Sequence, residues 1–409
     1  MTASAARSIL PPLSAEERRH SEAVLARIRT ELAAAGGWIS FERFMELALY
    51  APGLGYYSAG SVKIGPGGDF VTAPEASRLF GCCLARQCAE VLRVSGGQIL
   101  ELGAGTGALA AVILPELAAL GVLPERYAIL EVSADLAARQ RQRLAQLPPP
   151  LRERVSWLQR LPERPVNGVL LANEVADALP CRRVRWREAG LEEIGVSLDE
   201  SAPVTAAEQE ARGSARSALC ERPVAADAAL RRAWDEICAA VPGPLPAGYT
   251  SEVCLRLPAW IASLAECLQR GLLLICDYGI PRRHYYHPQR VQGTLRCHFR
   301  QLAHDDPYIN VGVQDISAWV DFTAVAEAAT AAGLALSGFA TQAAFLLGLG
   351  IEARVAAADS DREQVRLAGE ARRLLLPEEM GEAFKAMALT RDFAAPLAGF
   401  EVRDLRHLL

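Results

Sequence analysis

Apolar residues recur at intervals of three and four in some stretches of this chain and run almost continuously in others, and the two patterns alternate. Residues 14–35 show the helical spacing. Leu25, Ile28 and Leu32 share a face, Ser14 and Glu17 stand at capping-box distance, and Gly36-Gly37 ends the run. Residues 39–50 predict a second helix, with Ser40 as its N-cap and Phe41, Phe44, Met45 and Leu49 on one side. After a Gly/Pro break at 51–57, another helix is expected at 76–94. Short apolar runs at 98–105, 126–132, 155–158 and 168–175 then read as strands, with helices at 106–121 and, capped by Ser133, at 133–147. Near-continuous apolar strands interleaved with helices call for a parallel sheet covered on both faces.

The pattern then loosens. Residues 181–200 alternate and predict a hairpin. Residues 201–247 are rich in Ala, Pro and Glu with poor periodicity and read as an insertion. A helix at 257–270 leads into a fifth strand, 271–279, and a polar, loop-rich stretch at 290–317 precedes a helix at 321–333 and a sixth strand at 335–339. Residues 342–389 read as mostly helical, and 396–405 as a closing strand. The expected division is an N-terminal helical cap at 1–95, a core at 96–200 and 250–409, and an inserted lobe at 201–249.

Composition narrows the classes. With 409 residues, 51% hydrophobic and 22% charged, this is a globular composition on a chain too long for one simple core. A net charge of −5 weighs against a nucleic-acid partner. The ten cysteines are scattered with no CxxC pair, so neither a metal centre nor a disulfide framework is expected, and they read as reduced, mostly buried thiols. No apolar run reaches the roughly 18–20 residues of a membrane span, so no membrane insertion is expected. Residues 1–20 show no signal-peptide apolar region, and Glu16 and Glu17 weaken a transit-peptide reading. Basic side chains are almost all Arg; Lys occurs only at 63 and 385.

Two glycine-rich stretches carry the candidate chemistry. ELGAGTG (101–107) places Gly103, Gly105 and Gly107 at a strand-to-helix turn, where glycine permits positive φ and close approach of a ligand, and where the helix start attracts an anion. The second strand ends in Glu131, a carboxylate able to accept both ribose hydroxyls of an adenosine. That fits NAD or S-adenosylmethionine (SAM). Glu101, just before the glycines, favours SAM, because a second carboxylate suits a sulfonium and an ammonium and repels a pyrophosphate. GPGGDFVTAPE (65–75) cannot be regular structure; Gly67 and Gly68 allow a tight loop, Asp69, Thr72 and Glu75 are polar, and Phe70 could cover a ring.

In order along the chain stand GDFVTAPEASRLFG, ELGAGTGAL, ANEVADALP, GYTSEV, DYG, GTLRCH, VGVQDISAWVDFT and MGEAFKAM. Together they resemble the MidA-like SAM-dependent methyltransferases, over about residues 37–402 apart from the insertion. That family includes a mitochondrial protein arginine methyltransferase that assists assembly of respiratory complex I. The resemblance implies an α/β, class I (Rossmann-like) fold with a mixed seven-stranded sheet in the order 3-2-1-4-5-7-6, an N-terminal helical cap and an inserted lobe. It also implies that GDFVTAPE packs beside the cofactor, which makes Gly68, Asp69, Phe70 and Thr72 cofactor-binding candidates and Asp69 a candidate partner for the methionine ammonium. Trp319 stands where the family more often has His.

Methyl transfer needs alignment more than a nucleophile, and no GxSxG, HExxH or P-loop occurs. ANEVADALP closes the fourth strand, and ligands of such sheets sit at strand C-termini. Asn173, Glu174 and Asp177 are therefore the catalytic candidates, Glu174 first, with Asn173 also facing the cofactor. Glu252, Asp277 and Tyr278 end later segments and are candidates to bind the acceptor. By family resemblance the acceptor is a protein side chain, an arginine nitrogen, and the partner is a protein. A homodimer stays open. So do a non-catalytic SAM-binding assembly factor, a small-molecule methyltransferase and an NAD-dependent oxidoreductase. The expected location is the cytoplasm for a bacterial chain and the mitochondrial matrix for a eukaryotic one.

Overall fold

The apolar runs form the strands of one sheet: β1 (Gln98–Leu102), β2 (Tyr127–Leu130), β3 (Val155–Leu158), β4 (Val166–Asn173), β5 (Leu268–Ile280), β6 (Ala335–Thr341) and β7 (Phe384–Arg391). The computed structural model describes residues 10–59, 68–69, 72–199 and 219–409; Lys63, Gly67, Phe70 and the first part of the expected insertion lie outside these. The chain divides into two compact units. One comprises Met1–Phe70, Ala178–Arg256 and Arg282–Trp319, the other Val71–Asp177, Leu257–Pro281 and Val320–Leu409.

The second unit holds the sheet. Its order is β3-β2-β1-β4-β5-β7-β6, as the resemblance implied, with the two-residue strand Val320–Asp321 added beside the end of β5. Strands β3, β2, β1, β4 and β5 are parallel, and β7 is antiparallel to both β5 and β6. Ile99, Val169, Leu171, Leu272 and Leu274 pack on one face with Phe80, Leu84 and Cys88 of the helix Arg78–Ser95 and with Leu109 and Ile113 of the helix Ala108–Ala119. The alternate residues Leu100, Leu170, Leu273 and Ile275 are equally buried, which is the two-sided cover that a parallel sheet requires.

Two readings of the C-terminal part are corrected. The closing strand is β7, inside the stretch read as helical, and residues 396–405 contain only a 3-10 turn, Ala398–Phe400. FKAMALTR is built of helix-forming residues, but six of its eight side chains are buried between β5 and β6. Sheet burial overrides local propensity there.

In the first unit, the helices Ala15–Ala34 and Phe41–Tyr50 begin where expected. Ser14 accepts from Glu17 N–H while the Glu17 carboxylate accepts from Ser14 N–H, and Ser40 accepts from Arg43 N–H. Phe41, Phe44 and Met45 are fully buried. The expected hairpin is present as Arg182–Arg187 and Gly190–Leu198, within a five-stranded antiparallel sheet completed by Ile39–Ser40, Thr250–Val253 and Leu219–Ala225. The described part of the expected insertion is thus a strand of this sheet followed by the helix Ala228–Ala240. The stretch read as loop at 290–317 holds three short paired strands, Arg296–Phe299, Leu302–His304 and Asp315–Ser317. Three- and four-residue strands are too short for alternation to be seen. All ten cysteines are free thiols, and no helix among the described residues is long and apolar enough to cross a membrane.

Candidate active site

Register brings the motif residues of the second unit to one edge of the sheet. Leu102 pairs with Leu130 on one side and Ala172 on the other, and Asn173 pairs with Cys276. Gly103, Glu131 and Glu174 therefore leave the C-terminal ends of β1, β2 and β4 side by side, level with Asp277 on β5, where doubly wound sheets hold ligands.

Gly103, Gly105 and Gly107 all adopt left-handed φ, at 60°, 53° and 80°. A side chain would strain each of them. Gly107 is the N-cap of Ala108–Ala119 and offers no side-chain cap, so the first helical amides face the turn. Glu131 is buried; its Oε1 accepts from the Ser133 amide (2.8 Å) and its Oε2 from Gln140 Nε2 (2.9 Å). Gln140, fully buried, also donates to the Gly105 carbonyl (2.9 Å) and accepts from the Trp157 indole (2.9 Å). One amide thus ties the glycine turn, the acidic strand end and β3 together.

Glu101 lies beneath the turn, where its carboxylate accepts from the Tyr127 hydroxyl at 2.7 Å. Burial pushes this carboxyl up to about 7, against the pull of Tyr127 and with help from the Glu131 charge. The second half of the first glycine-rich stretch joins the same turn. Thr72 is the N-cap of the short helix Ala73–Ala76 without a side-chain bond. Glu75 accepts from the Thr106 hydroxyl and, in a bidentate pair, from Arg143 at 2.6 and 3.2 Å. Burial would raise the Glu75 carboxyl, but Arg143 and Thr106 outweigh it and hold it below the usual range.

At the end of β4 the chain makes a strained elbow. Glu174 has φ 53°, a left-handed value in a non-glycine residue, and its amide donates to Cys276 O at 2.9 Å. Its Oε1 accepts from Asn173 Nδ2 and from the Ala73 amide, both at 3.2 Å. Val175 then touches the glycine turn, its Cγ2 lying 3.2 Å from where a Gly103 Cβ would be. Asp277, fully buried, accepts on Oδ2 from the amides of Val175 (3.1 Å), Ala176 (2.9 Å) and Asp177 (3.3 Å), and on Oδ1 from the Tyr278 amide (2.9 Å). Burial, then the neighbouring charges of Asp177 and Glu174, push its carboxyl above the ordinary range, and these amides oppose the shift. The Tyr278 ring packs edge-on against Phe384.

Gly68, Asp69 and Glu252 belong to the first unit. Asp69 accepts from the Arg300 amide (2.7 Å) and the Tyr56 hydroxyl (2.8 Å). Glu252 is buried, accepts from the Thr294 amide (2.7 Å) and hydroxyl (3.1 Å), and lies 4.0 Å from Arg183. The Trp319 amide donates to the Thr294 hydroxyl at 3.2 Å, and its ring carries the Arg290 guanidinium 5.0 Å above it. Lys385, on β7, donates to the carbonyls of Glu382 and Ala383, and burial pushes its ammonium down to about 8. No cluster among the described residues could hold a metal ion. Gln140, Thr106 and Arg143 were not anticipated. Thr106 lies within the glycine stretch itself, and the sequence signal for Gln140 and Arg143 is helical spacing: they are one turn apart on the helix Ala134–Leu144, which follows Glu131.

Comparison with known proteins decides what such an edge belongs to. Residues 83–340 match the family model described as "Putative S-adenosyl-L-methionine-dependent methyltransferase". The chain belongs to this family. A superfamily member from Burkholderia thailandensis, crystallised with S-adenosyl-homocysteine bound, is 41% identical and superposes with a TM-score of 0.88, over 98% of this chain and 100% of that one. The zebrafish mitochondrial protein arginine methyltransferase NDUFAF7 is 28% identical over 94% of both chains. The mouse protein of that name is 29% identical over 86% of this chain and 81% of its own. SAM is accordingly the cofactor of this methyltransferase, and the residues present suit it. Three left-handed glycines let the backbone approach a ligand, and the buried carboxyls of Glu131 and Glu101 stand at and beneath the turn, a lining that suits a cationic adenosyl group better than a pyrophosphate.

Proposed function

We propose that this methyltransferase modifies an arginine nitrogen of a partner protein. The observation that carries the reading is the elbow at the end of β4. It holds Asn173, Glu174 and Asp177 on consecutive or nearly consecutive residues at the sheet edge, with the following Val175 against the glycine turn. The relatives named protein arginine methyltransferase support it, at 28–29% identity.

Bound at the glycine turn, SAM supplies a methyl group already activated on a sulfonium. The remaining work is alignment and charge management. A guanidinium offers little lone-pair density on any nitrogen while it stays planar and delocalised. Carboxylates that grip two of its nitrogens orient the third and stabilise charge left on the others. Glu174 takes this role, with the Asn173 amide steadying its Oε1 and Asp177 three residues further along. As the new N–C bond forms, one N–H proton leaves the alkylated nitrogen, and a carboxylate is the group suited to receive it.

The test is incubation with methyl-labelled SAM and protein extract from cells lacking the gene, followed by acid hydrolysis and separation of methylated amino acids. Label in ω-methylarginine with the wild type, and none with Gly105→Val, is expected. Label confined to another amino acid or to small molecules would overturn the arginine assignment.

A further inference from the structure

We propose that Asp277 is a positioning residue: its carboxylate is the template on which the Glu174 elbow is folded. This rests on the reading that Glu174 serves the acceptor. Asp277 had been a candidate to touch that acceptor, and its surroundings argue for a different task. Three successive amides, of Val175, Ala176 and Asp177, converge on one of its oxygens, and the Tyr278 amide takes the other. Successive N–H groups aimed at one anion form a backbone nest, a geometry that an uncommitted loop rarely holds.

The order of events along the chain explains why a nest is needed there. The ladder between β4 and β5 runs through Asn173 opposite Cys276 and ends with the Glu174 amide on the Cys276 carbonyl. At this point β4 ends while β5 runs on to Ile280, and the next three amides, having left the ladder, have no strand carbonyl to meet. The next residue on β5 is Asp277, and its carboxylate collects all three. Residue 174 must then adopt φ 53° for the chain to turn into the nest. Glutamate tolerates this conformation badly. Asp277 therefore stabilises the one backbone conformation that aims the Glu174 side chain, whose Oε1 is then met by Asn173 and by the Ala73 amide.

Two measurements test this. The first needs no acceptor. If Asp277 holds the left-handed residue in place, Asp277→Asn lets the elbow relax and recovers the strain at residue 174, so it will cost less stability beside Glu174→Ala than beside Glu174→Gly, where glycine adopts positive φ without strain and there is none to recover. A denaturant cycle over these variants reads that coupling, and an equal cost in both backgrounds would overturn the proposal. The second uses the labelled-extract assay above. At saturating SAM, Asp277→Asn will lower the single-turnover rate of methylarginine formation at least about 30-fold. The dissociation constant for S-adenosyl-homocysteine will stay within about threefold of wild type, and amide exchange will rise in the peptide spanning 174–180. Unchanged rate or unchanged exchange would sink the idea. If the wild type makes no methylarginine, the arginine reading fails, while the denaturant cycle still judges the role of Asp277.

Discussion

Glu75 meets Arg143 in a two-point ion pair, 2.6 and 3.2 Å, and the same carboxylate accepts the hydroxyl of Thr106 in the glycine turn. The end of the GDFVTAPE stretch is thereby latched to the turn from the outside. The Glu75 side chain is only 11% exposed, so removing its partner leaves a largely buried carboxylate unpaired.

Arg143→Ala should therefore lower stability by about 1–2 kcal/mol, as for loss of a charged hydrogen bond, and weaken SAM binding by loosening the loop. Denaturant midpoints and titration calorimetry check both effects. Equal SAM affinity in the variant would confine the latch to stability alone. Because the Glu75 carboxyl is held below its ordinary value of 4.5, the pair's contribution is present above that pH and lost as pH falls through the lower folded value.

Glu131→Ala should weaken SAM binding by about ten- to a hundredfold, since a charge-assisted bond to a sugar hydroxyl is worth roughly 1.5–3 kcal/mol. Gln140→Ala should produce a smaller loss of the same kind by releasing both the Glu131 carboxylate and the Gly105 carbonyl. Calorimetry with S-adenosyl-homocysteine measures each, and wild-type affinity in Glu131→Ala would remove that residue from the cofactor site.

Glu174→Gln keeps the shape of the elbow and removes the charge. The single-turnover transfer rate should fall about a hundredfold, in the range for loss of an acid–base group, with cofactor affinity nearly unchanged. A parallel loss of cofactor affinity would place Glu174 with the cofactor instead of the acceptor.

Glu101 predicts a pH signature. Its carboxyl is raised in the fold from 4.5 to about 7, so between those values the folded chain retains a proton that the unfolded chain has released. This group's contribution to stability accordingly falls as pH rises from about 4.5 to 7 and is flat above. Glu101→Gln should remove that slope, as followed by unfolding midpoints across the range. An identical pH profile in the variant would mean that another group is responsible.

Much of this was legible along the chain. The capping box at Ser14 and Glu17, the N-caps Ser40 and Ser133, the strands β1 to β6 and the three left-handed glycines all follow from local chemistry. Each depends on neighbours within a few residues, so periodicity and turn residues reveal it. Strand β7 was not legible. Its Ala, Met and Leu read as helix, and only its place between β5 and β6 makes it a strand.

The sequence by itself determined the alternation of strands and helices, the glycine turn and the acidic residues at the strand ends, because side-chain spacing and backbone freedom are local properties. The tertiary structure alone decided what those residues hold. Sheet register sets Asp277 beneath three amides a hundred residues away, and the packing of helices against the sheet sets Gln140 between Glu131 and Gly105 and Arg143 on Glu75. Such pairings depend on which strands lie side by side and at what level, a long-range choice that no short window of residues encodes.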